Sequence, residues 1–65
     1  MKISYDPEVD VLRILFKDRP IEESDEARPG LIFDFDDQGD VVGIEVLNAS
    51  MFVEDPRTVD YALDG

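Results

Sequence analysis

Cysteine, histidine and tryptophan are all missing from this 65-residue chain, and lysine and arginine together number only six. Without cysteine there are no disulfides, and without cysteine or histidine there is no zinc site built on thiolate or imidazole. The same two absences remove the nucleophile and base pairs of acyl-transfer enzymes, because Ser4, Ser24 and Ser50 have only carboxylates to activate them. Scarce basic residues disfavour direct nucleic-acid binding, which draws on several Lys and Arg neutralising phosphates. No apolar run approaches 18 residues, and the opening Met1-Lys2-Ile3-Ser4-Tyr5-Asp6 holds no apolar signal core. No membrane association is expected, and the cytoplasm is the default compartment.

What the chain has in quantity is acid: 17 Asp and Glu set its formal net charge at −11. Its length suits one domain, residues 1–65. A domain of that size buries only about 60% of the surface its unfolded chain exposes, which leaves a thin stability margin. Small domains commonly add disulfides, a metal or a partner subunit. With the first excluded, association with itself or with another protein is the expected supplement. A strongly negative surface speeds encounter with basic partners, and it also serves ordinary solubility.

Strand signals dominate the chain. Ile3 and Tyr5 alternate with Lys2 and Ser4, predicting a strand over residues 2–5, and Asp6-Pro7-Glu8 supplies turn chemistry. Val9, Val11, Leu12, Ile14, Leu15 and Phe16 crowd β-branched and aromatic residues into a second, more buried strand. Their spacing also fits a helix, but the segment is short, has apolar residues on both faces, and lies between Pro7 and Pro20. Residues 17–20 read as a second hairpin turn. Residues 21–27 carry Glu22, Glu23, Asp25 and Glu26 and read as an exposed edge strand or a loop, where like charges discourage unwanted pairing. Pro29-Gly30 turns the chain into a strand at Leu31–Phe35, and Asp36–Asp40 turns it into another at Val41–Leu47. Sequential antiparallel pairing of these segments predicts a mainly β (α+β) fold, a small antiparallel meander of four to five strands. Asp55-Pro56 looks like a helix N-cap, and Val59, Ala62 and Leu63 share a helical face, so a short helix is expected within a C-terminal tail over 53–65. Met51 and Phe52 are expected to pack under that tail.

The segment from Asp34 to Glu45 nearly has the spacing of a calcium loop, with Asp34, Asp36, Gly39 and Glu45 in the expected positions and Gln38 replacing the usual Asp or Asn. Its flanks read as strands and not as helices. If Phe35 and Val41 pair across a hairpin, Glu45 lies about 13 Å from the turn and cannot close the site. No metal is therefore expected. Asp36, Asp37 and Asp40 remain weak candidates for an alternative reading as a calcium-responsive or divalent-cation-responsive module. No enzymatic activity and no cofactor are expected. A pair such as Asp34 with Glu45, brought together on neighbouring strands, is the one arrangement suited to carboxylate acid–base or metal-assisted chemistry. Arg13 interrupts the strongest apolar strand and is expected to pair with an acid on the next one.

Three stretches in order, Lys2-Ile3-Ser4-Tyr5-Asp6-Pro7-Glu8-Val9-Asp10-Val11-Leu12, Arg28-Pro29-Gly30-Leu31-Ile32-Phe33-Asp34-Phe35-Asp36, and Gly39-Asp40-Val41-Val42-Gly43-Ile44-Glu45-Val46-Leu47-Asn48-Ala49-Ser50, resemble the domain of unknown function 2283, a family of short, chiefly prokaryotic proteins. The resemblance covers roughly residues 2–52 and leaves 53–65 outside. It implies a small β-rich fold and carries no established activity or catalytic residue. Its genes' company with small toxin nucleases implies an antitoxin-like role. The sequence and this resemblance together lead to a protein-interaction module, self-associating or inhibiting a basic partner such as a small RNase. Glu22, Glu23, Asp25 and Glu26, or the turn carboxylates, would face that partner.

Overall fold

A computed structural model describes residues 1–65. Five strands and one short helix follow in order: β1 (Lys2–Asp6), β2 (Val11–Leu15), β3 (Glu23–Arg28), β4 (Leu31–Phe35), β5 (Val41–Leu47) and α1 (Ala49–Phe52). All strand pairs are antiparallel and form one open sheet in the order β1-β2-β5-β4-β3. The mainly β class is as the alternation of apolar residues predicts. The sequential meander is not, because β5 takes the place beside β2 that sequential pairing gives to β3.

Composition explains the exchange. A central strand is flanked on both sides, which shields the apolar side chains of Val42, Ile44 and Val46 of β5 more than an edge would. It does not suit Glu23, Asp25 and Glu26 of β3, which are tolerable only where one edge meets water. Residues 17–20, expected as a hairpin turn, therefore lie on a crossover that carries the chain past β5 and β4 to the far edge. Gly43 makes the central pairing fit, since a Cβ there would stand 2.9 Å from the Ile14 carbonyl oxygen.

The pairing register sorts side chains into two faces. One face carries the row Ile3, Ile14, Ile44 and Phe33, ending at Asp25, and the row Tyr5, Leu12, Val46 and Leu31, ending at Arg28. The opposite face carries Ser4, Arg13, Glu45, Ile32 and Glu26 in one row and Lys2, Leu15, Gly43, Asp34 and Ser24 in the next. The slab is only 19 Å in its shortest dimension. Leu12, Val42 and Ala49 are the only buried hydrophobic residues, so the core is thin.

The C-terminal half of the prediction needs correction. The helix lies at Ala49–Phe52, ahead of the expected position, and residues 53–65 contain no helix. Asp55 does act as the expected cap: its Oδ1 accepts from the Arg57 N–H at 3.0 Å and its Oδ2 from the Thr58 hydroxyl at 2.8 Å. One turn closes there, with the Thr58 N–H donating to the Asp55 carbonyl, and then stops. A helix nucleus is unfavourable unless later turns or packing stabilise it. Val59, Tyr61 and Leu63 remain 56%, 74% and 89% exposed, so nothing rewards continuation. Met51 and Phe52, expected under the tail, are instead exposed, and Ala49 is the residue of that segment that packs inside.

Candidate functional site

Three carboxylate centres and one acidic edge hold the polar chemistry of the molecule. The first centre joins stretches that are far apart in sequence. Asp10 takes a left-handed backbone conformation (φ 59°) at the end of the β1–β2 turn, which aims its carboxylate back toward β1 and across to α1. Its Oδ1 accepts from the Tyr5 hydroxyl at 2.7 Å and from the Ser50 N–H at 2.9 Å, while Oδ2 accepts from the Ser50 hydroxyl at 2.6 Å. Its own carbonyl takes the Ala49 N–H. The hydrogen bond from the Ser50 hydroxyl, followed by that from Tyr5, holds the Asp10 carboxyl below its ordinary value. The same bond to Asp10 raises the Tyr5 phenol. A base needs a proton affinity near the working pH, and both shifts run away from it. The trio clasps the first hairpin to the helix.

The second centre is the β4–β5 turn. Asp36 Oδ1 accepts from the N–H groups of Gln38 (2.9 Å) and Asp40 (3.0 Å), and its backbone exchanges bonds with Asp40 and Gly39. Its Oδ2 is buried without a hydrogen bond and faces Arg19 Nε at 3.5 Å. Arg19 Nη2 also reaches Asp37 at 3.5 Å, and Lys17 Nζ stands 3.9 Å from Asp40. Burial raises the Asp36 carboxyl, but the amides of Asp40 and Gln38 with the Arg19 and Lys17 charges outweigh it, and the net displacement is downward. Each weak cation candidate, Asp36, Asp37 and Asp40, therefore has an internal cation beside it, and no three carboxylates converge as a ligand set. Glu45 belongs to a strand and pairs with Ile32 and Arg13, away from the turn.

The third centre lies on the polar face of the sheet. Asp34, only 2% exposed, accepts the Ser24 hydroxyl from β3 at 2.6 Å. Its position opposite Gly43 leaves room for Glu45, one residue pair further along, to lean in. A hydrogen bond with Asp34, then burial, then the Asp34 charge raise the Glu45 carboxyl, and Arg13 opposes them at 3.9 Å. The neighbouring strands thus bring together the two carboxyls considered for catalysis, and the cross-strand partner of Arg13 is Glu45. No cavity collects around them.

The edge strand is the fourth feature. Glu23, Asp25 and Glu26 sit on β3 and Glu22 just ahead of it, all exposed. Glu26 Oε2 accepts the Gly30 N–H at 3.0 Å, and Glu22, Glu23 and Asp25 stand in no ion pair. Sequence reasoning missed the Asp10 clasp. Its only signal was an acid after a Pro turn, which does not reveal that Ser50 lies opposite.

These features define an open-sheet, mainly β domain with an acidic edge and no enclosed site. The family model for a protein of unknown function, DUF2283, matches residues 2–50, and the chain belongs to that family. No curated protein and no solved structure matches it.

Proposed function

We propose that this chain is a small, non-catalytic protein-interaction module that offers its acidic β3 edge to a basic protein, as an antitoxin-like inhibitor of a small RNase would. The observation that carries the reading is the edge strand. Its six residues are exposed throughout, its outer N–H and C=O groups face no other strand, and Glu23 and Asp25 have no cation of their own. An extended basic segment could add to that edge through main-chain bonds while its charges meet these carboxylates. The other two strongly held acids, Asp10 and Asp36, already serve internal contacts and offer less to a partner. Affinity purification from the native cell tests the proposal. The expected result is a stoichiometric basic protein, released as salt screens the charges and absent when Glu23→Lys and Asp25→Lys are combined. Recovery of no such partner by the unaltered chain overturns it.

A further inference from the structure

We propose that two copies of this chain pack apolar face to apolar face, across the part of the sheet that holds Leu31, Phe33, Phe35, Ile44 and Val46. The proposal rests on the reading of the chain as an interaction module and assigns a second surface to it, distinct from the acidic edge. Domains are generally built from at least two layers, each burying the apolar side of the other. Here the apolar rows run across four strands without a single charged residue, from Ile3 to Phe33 and from Tyr5 to Leu31. The chain's own second layer is small. The tail passes over the Ile3, Leu12 and Ile14 side and leaves a gap of about 290 Å³ beneath it. The four-residue helix reaches only the Leu31 and Val46 end, where Phe52 borders a groove of about 370 Å³ and is itself 65% exposed. Phe33, Phe35 and Ile44 stay half-buried with no layer of their own.

Area and charge both select a second copy as the occupant. The surface is 5169 Å² for 7.4 kDa, against about 4,200 Å² for a compact monomer of that mass. The extended tail contributes part of the difference. The excess of about 1,000 Å² is comparable to the ~800 Å² that each partner gives to a standard interface. Two chains of charge −11 repel unless they meet where acid is scarce. On the apolar face the sheet's charges stand only on the outer strand, at Glu23, Asp25 and Arg28, and the four strands inside it present none, whereas the opposite face carries Lys2, Arg13, Glu26, Asp34 and Glu45 spread across the sheet. A basic partner would be drawn to the acidic outer strand and not to the uncharged centre of this surface. Packing here closes a two-sheet sandwich with sheets about 10 Å apart and leaves β3 outward.

Sedimentation equilibrium of the full chain is the first measurement, with a mass of twice 7.4 kDa at tens of micromolar expected. Phe33→Ser should raise the dimer dissociation constant at least tenfold. Isotope-filtered NOE spectra on a mixture of labelled and unlabelled unaltered chains read the same contact without any variant, and should show Phe33 and Ile44 of different copies in contact. The Glu22→Lys chain, altered ahead of β3 and outside the apolar rows, should keep the dimer mass while holding the basic partner less tightly, so loss of the basic partner and loss of the dimer are separable. A chain that stays monomeric at 1 mM, or a dimer whose intermolecular NOEs lie along a strand edge or the polar face, overturns the proposal.

Discussion

In the β4–β5 turn, Asp36 gathers two backbone N–H groups and faces an arginine, and Asp37 and Asp40 each stand beside a cation. On β3, equally acidic in sequence, Glu23 and Asp25 meet neither a backbone donor nor a basic side chain. The difference comes from where the crossover places Lys17 and Arg19. It passes the turn on its way from β2 to β3, so these two cations meet the turn carboxylates, and neither they nor Arg28 at the far end of β3 pairs with Glu23 or Asp25. Local acid density does not distinguish the two regions. What separates them is the supply of donors, and the undersupplied region keeps its carboxylates unpaired.

Removing the turn's central acceptor is the sharpest way to break that comparison. Asp36→Ala leaves the Gln38 and Asp40 N–H groups without their acceptor and Arg19 without its buried partner, so the melting temperature should drop by on the order of 10 °C. Asp25→Ala, with no such partners, should leave it nearly unchanged. Parallel thermal melts by circular dichroism compare the two, and equal drops would erase the distinction.

A smaller effect is expected from pH, and it separates the turn from the Asp34–Glu45 pair. Asp10, Asp36 and Asp55 all have folded values below their ordinary ones. Their contribution is present above the unfolded value of about 3.9 and is lost as pH falls through the folded values. Glu45 is raised by its bond with Asp34, so its contribution is present below about 4.3 and is lost as pH rises through its folded value. Stability should therefore decline on both sides of a mildly acidic maximum. Urea midpoints across pH 2–8 should show this, and Glu45→Gln should flatten the decline on the alkaline side while leaving the acid side intact. A variant with an unchanged alkaline limb would mean that Glu45 is not the group behind that decline.

Particular residues show how far the sequence could be read. The alternation of Leu31, Phe33 and Phe35 and of Val42, Ile44 and Val46 announced strands because period two is a local property. The Asp36–Asp40 turn and the capping role of Asp55 were legible for the same reason, since their partners lie within four residues. Strand order was not local. Whether β2 meets β3 or β5 depends on which strand can bear water on one edge, and that comparison spans the whole chain. The Asp10 to Ser50 clasp closes 40 residues of chain and left no spacing signal. The tail misled because Val59, Ala62 and Leu63 fit a helical face, while Val59, Tyr61 and Leu63 equally fit an extended one. Without anything to pack on, neither pattern formed an element.

The least perturbing change tests the other side of the comparison. Glu23 and Asp25 lie opposite Phe35 and Phe33 across the β3–β4 pair, and their carboxylates reach water. Replacing both with lysine keeps exposed, charged, flexible side chains, whose methylene stems can lie along those rings as well as the acids do. Folding stability in urea should therefore change by less than about 0.5 kcal/mol, even though the edge loses its negative field. A larger loss would show that these acids hold the sheet together, as Asp36 does the turn. A silent substitution leaves their charge free of any structural duty.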